Sequence, residues 1–142
     1  MSTESELLEI AVERLVKELD AKIIILFGSR ARGDWKPWSD YDLLIIADFK
    51  EKYLDRIKRV LDIVGDLPIH IEPHPYTLEE AIIMLKKGNP IIVDALEEGK
   101  ILYAGPELER LLSLYRKLKE KGMRKTETSI IVPSEDAEEP QK

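Results

Sequence analysis

Two short apolar runs constrain this chain more than any other feature: Lys22–Phe27 reads KIIILF and Tyr41–Ile46 reads YDLLII. The first is β-branched and apolar at almost every position, as expected of a strand covered on both faces rather than one alternating against solvent. The second reads as a strand with Ser39 and Asp40 at its entrance. Between them lies a loop of Gly, Pro and Trp, so the chain must bring two core strands together around it.

The flanking segments have helical spacing. Leu8, Ala11, Val12, Leu15, Val16 and Leu19 predict an amphipathic helix over 4–19, with Ser2 and Thr3 as candidate caps. Leu54, Ile57, Leu61 and Val64 mark a second helix ended by Gly65. Pro68–Glu72 (PIHIE) reads as a third strand, closed by Pro73 and Pro75. Thr77 and Glu80 form a capping box that opens a helix through Leu85. Asn89 and Pro90 start another, stopped by Gly99, and a short strand at 101–103 precedes a helix from Glu107 to Lys121. The expected fold class is α/β, or more loosely α+β, with a short mixed sheet flanked by helices. One domain is expected over 1–124, and residues 125–142, polar and acidic apart from SIIV, are expected to be a disordered tail.

Composition narrows the chemistry. There is no cysteine and only two histidines, so any bound metal should be held by oxygen. A formal net charge of −6 opposes broad adhesion to nucleic-acid phosphates, which favours a protein or small-molecule acceptor. No apolar run approaches the roughly 20 residues that span a bilayer, and MSTESELLEI lacks the basic and apolar regions of a signal peptide. A cytoplasmic protein without a membrane segment is expected.

The candidate site lies at the ends of the two core strands. Gly28 and Ser29 directly follow the first, where open α/β sheets place ligands. Glycine permits close approach of the backbone to a phosphate, although an isolated Gly-Ser pair more often simply turns the chain. Asp40 and Asp42 stand at i and i+2, so their carboxylates share one face roughly 7 Å apart along the backbone. That face continues as Leu44 and Ile46, an apolar setting in which uncompensated carboxylates are costly and a divalent cation would stabilise both. A cap at Ser39 and Asp40 with an ion pair at Asp42 is the competing structural account. Trp35 and Trp38 flank Pro37 and are read as loop stiffeners, His70 as a structural strand residue and His74 as exposed loop. The helix from Glu107 carries an apolar stripe suited to docking a partner.

Taken together, GSRARGDWKPWSDYDLLI resembles the signature of the DNA polymerase β-like nucleotidyltransferase superfamily, and within it the minimal nucleotidyltransferases of prokaryotes. The resemblance covers roughly residues 4–105. It implies that Gly28 and Ser29 hold a nucleoside triphosphate such as ATP, and that Asp40 and Asp42 bind two Mg²⁺ ions. It also implies a third carboxylate from a later strand, for which Glu72 is the match, a glutamate where the family usually has aspartate. Arg30 and Arg32 are expected beside the phosphates, and Ser39 completes the candidate nucleotide-binding set. The resemblance further implies transfer of a nucleoside monophosphate to a hydroxyl, with a HEPN-domain toxin as protein acceptor and an antitoxin role for this chain. The alternatives are a non-catalytic partner-binding antitoxin module and a nucleotidyltransferase acting on a small molecule. A homo-oligomer is left open.

Overall fold

A computed structural model describes residues 2–126 and 128–133. Helix α1 spans Glu4–Leu19, with Thr3 and Glu6 exchanging the two hydrogen bonds of a capping box. Strand β1 (Ile23–Phe27) leads into one turn of helix, α2 (Ser29–Arg32), and β2 (Tyr41–Ile46) follows the loop. Then come α3 (Tyr53–Val64), β3 (Ile71–Tyr76), α4 (Leu78–Lys86), α5 (Pro90–Glu98), β4 (Lys100–Ala104) and α6 (Glu107–Glu120). Thr77 and Glu80 cap α4 reciprocally, while Asn89 and Pro90 open α5, as their sequence predicts.

The four strands form a mixed sheet in the order β3-β2-β1-β4. β1 is antiparallel to both β2 and β4, whereas β2 and β3 run parallel. The two largely apolar runs are thus the two central strands, and helices cover both faces. Ile24, Leu26, Leu43 and Ile45 pack toward α1 and α3; Ile23, Ile25, Phe27, Leu44 and Ile46 pack toward α4, α5 and α6. The mixed α+β architecture agrees with the expected fold class.

The third strand differs from its expected bounds. It starts at Ile71, leaves His70 outside, and runs through Pro73 and Pro75 instead of stopping there. The backbone ladder explains why. Tyr41 N–H donates to the His70 carbonyl and Ala47 N–H to that of Tyr76, so the even-numbered residues of β3 bond to β2. Residues 73 and 75 turn their nitrogens to the open edge, where proline loses no ladder bond.

Residues 124–126 and 128–133, on either side of a residue outside the described ones, carry structure of their own. Arg124–Lys125 (β5) pairs antiparallel with Ile130–Ile131 (β6), and Ile130 and Val132 pack on the α4–α6 side of the core. The rest of the expected acidic tail, 134–142, lies outside the described residues. No helix among the described residues is long and apolar enough to cross a membrane.

Candidate active site

The strand pairing places the acids. Phe27 pairs with Asp42, and Asp42 pairs with Glu72, so the end of β1 and the starts of β2 and β3 lie side by side. Asp42, Glu72 and His74 each offer a donor atom, all within 4.8 Å of one another. His74 Nε2 lies 3.1 Å from Asp42 Oδ1, and its ring meets the edge of Phe27 at 4.9 Å between centroids. His74, expected as exposed loop, is a partly buried strand residue on the acids' face. The even spacing of Glu72, His74 and Tyr76 was its signal, masked by the prolines between them.

Glu72 is an exposed residue, yet local desolvation of its carboxyl, and next the Asp42 carboxylate, push it above its usual range; Asp40 adds to the effect, so it too lies within electrostatic reach. Asp40 is exposed on the loop before β2. Two carboxylates in register, with a third nearby and a nitrogen beside them, form a donor set suited to a divalent cation. The residues fit such an ion.

Gly28 borders the same group. Its φ is +77°, and a Cβ there would lie 2.6 Å from Asp42 Oδ2, so glycine both allows the turn and leaves room for the carboxylate. Ser29 begins α2, whose turn closes by bonds from Ala31 and Arg32 N–H to the Gly28 carbonyl.

The expected arginines separate. Arg32 stays on the α5 side, where its guanidinium reaches Asp34 at 3.3 Å and Glu98 at 3.7 Å. Arg30 passes to the opposite face of the sheet. Its guanidinium lies between the rings of Trp35 (4.3 Å) and Tyr41 (4.4 Å), donates to the Ser39 carbonyl at 3.2 Å and meets Glu4 at 3.4 Å. Tyr41 also donates to Glu4, and burial followed by that bond pushes its phenol up to about 12. The Ser39 hydroxyl accepts from Lys36 N–H, which turns the loop. Of the two tryptophans, Trp35 covers Arg30, but Trp38 is 78% exposed and stiffens nothing by packing. The structure therefore groups Gly28, Asp42 and Glu72, with Asp40 alongside, and sends Arg30 elsewhere.

A small α+β domain whose Gly-Ser turn leaves a buried strand to face a carboxylate on the next strand, with a second in register on the third, is built for nucleotidyl transfer. The chain belongs to the family described as nucleotidyltransferase domain, whose profile matches residues 5–116. Over 104 residues it is 36% identical to a Methanocaldococcus jannaschii protein provisionally named a protein adenylyltransferase, covering 68% of this chain and 71% of that one. A second protein of that organism with the same provisional name is 32% identical over 102 residues, 67% of this chain and 97% of that one. The bifunctional uridylyltransferase/uridylyl-removing enzyme of Pseudomonas entomophila is 31% identical over 90 residues, 62% of this chain but only 10% of that enzyme. A crystal structure of a mutant MntA-HpeT toxin-antitoxin matches with a TM-score of 0.53 at 17% identity, covering 79% of this chain and 90% of that one. At that identity the likeness is one of fold.

Proposed function

We propose that this nucleotidyltransferase transfers AMP from ATP to a hydroxyl of a protein partner in the cytoplasm, and that the partner is a HEPN-domain toxin which the transfer neutralises. The observation that carries the reading is the register of Asp42 with Glu72 at a strand mouth bordered by Gly28. The names of the M. jannaschii relatives support adenylyl transfer to protein, and the MntA-HpeT fold likeness supports the toxin-antitoxin setting.

In this reading Asp40, Asp42 and Glu72 hold Mg²⁺, two ions in all, and such ions supply activation of the attacking hydroxyl and stabilisation of the departing pyrophosphate. Gly28 and Ser29 receive the triphosphate, the glycine by letting the backbone approach. Arg32 exchanges its ion pair with Glu98 for a phosphate, which a guanidinium binds through two parallel hydrogen bonds. Ser39 and Arg30 keep the intervening loop in shape so that Asp40 and Asp42 stay aligned with the Gly-Ser turn.

The test is incubation of the chain with Mg²⁺, ATP labelled at the α-phosphate, and a co-expressed HEPN-domain protein. Label should attach covalently to the partner with wild type and fall to background with Asp40→Asn and with Asp42→Asn. Transfer that survived both substitutions would overturn the mechanism. A stable complex without any transfer would point to a non-catalytic binding module, and label on a small molecule to a different acceptor.

A further inference from the structure

The imidazole of His74 stands among the acids and has no part in the carboxylate-only site. We propose that His74 is itself a metal ligand, so that Asp42, Glu72 and His74 form a mixed nitrogen-oxygen cation site favouring Mn²⁺ and related transition ions over Mg²⁺. The inference rests on the reading of Asp42 and Glu72 as ion-holding residues and changes which ion they hold best.

Geometry carries the argument. Ligands about 2.2 Å from a six-coordinate ion lie about 3.1 Å apart along an octahedral edge and about 4.4 Å apart across it. The 3.1 Å between His74 Nε2 and Asp42 Oδ1 is an edge of that size, and the three donor atoms lie within 4.8 Å of one another, a few tenths of an ångström wider than one coordination sphere, so a small closure brings all three onto one ion. The ring is already in place: its side chain is 14% exposed, Phe27 abuts it, and Pro73 and Pro75 restrain the backbone on either side. A ligand fixed in advance loses little freedom when the ion enters. Selectivity follows from donor type. Mg²⁺ prefers oxygen and keeps its waters, whereas transition ions gain from an imidazole nitrogen.

Pulsed electron paramagnetic resonance of Mn²⁺ bound to the full chain, without nucleotide, reads the coordinating atoms directly. The chain has only two histidines, and His70 is exposed and outside the cluster, so assignment is simple. Nitrogen hyperfine coupling is expected in wild type and in His70→Ala, and is expected to vanish in His74→Gln and His74→Ala. Calorimetry should show Mn²⁺ bound at least about tenfold more tightly than Mg²⁺ by wild type, a preference that His74→Gln abolishes. Should the His74 variants fail to fold, coupling in His70→Ala, where His74 is the one imidazole left, decides the matter. Bound Mn²⁺ without nitrogen coupling would mean that Nε2–H merely donates to Asp42, and it would overturn the proposal, as would no Mn²⁺ binding. Neither measurement depends on AMP transfer: transfer with Mg²⁺ and no coupling removes this inference alone, whereas coupling without transfer removes the proposed function alone.

Discussion

Arg30 is held by several partners at once: the rings of Trp35 and Tyr41 against its guanidinium, the Ser39 carbonyl and Glu4. A lysine would keep the charge but not the flat fork that stacks and bonds at once. Arg30→Lys is therefore expected to loosen the loop between the Gly-Ser turn and β2, at a cost of about 1–2 kcal/mol in stability. Because Arg30 acts through the loop, transfer kinetics should show kcat falling more than KM rises; steady-state assays and a thermal melt check both. Sequence order alone set Arg30 beside the phosphates. What it lacked was the face: Tyr41 and Asp42 alternate across β2, and Arg30 follows Tyr41. Gly28 and Asp42 were candidates from strand ends and period-2 alternation, which are local properties, whereas Glu72 came only from the resemblance; their meeting needs only that β1, β2 and β3 be neighbours.

The helices were readable nearly to the residue because their caps are written locally, as Thr3 with Glu6 and Thr77 with Glu80. β3 was not, since whether a proline ends a strand depends on which side of that strand is paired, a tertiary fact. One buried arginine ties this region together. Arg56 on α3 bonds Glu80 on α4 through both nitrogens at 2.6 and 3.1 Å, and also reaches the Glu51 and Pro75 carbonyls. Those Arg56 bonds hold the Glu80 carboxyl below the usual range. The pair's stabilisation is thus complete above the pKa of an unfolded glutamate and is lost as pH falls through the lowered folded value. Glu80→Gln preserves the capping box but not the charge. It is expected to cost about 1–2 kcal/mol near neutral pH, the half-exposed carboxylate keeping the figure modest. The difference from wild type should shrink below about pH 4, which chemical denaturation at the two pH values would reveal.

Across the whole molecule, a chain of charges joins the Gly-Ser turn to the C-terminal ribbon: Arg32 to Glu98, and Glu98 to Lys125 at 2.9 Å, with Asp94 also on Lys125 at 2.6 Å. The ribbon also seats on Gly88, where φ is +71° and a Cβ would lie 2.5 Å from Val132 Cγ1. Gly88→Ala should strain the turn and lift the ribbon, costing about 1–2 kcal/mol. A lowered melting temperature, with faster amide exchange at 130–132, is the expected reading. The two margins of the main sheet are unlike each other. Along β3, the prolines remove donors that an added strand would need, whereas among the described residues no strand pairs with the outer side of β4, where Ile101 and Tyr103 are exposed. Any assembly that lengthens this sheet must therefore begin at β4. Two copies joined there about a twofold axis would present only proline-blocked borders to the outside, so such growth stops at a pair and cannot run on into a fibre.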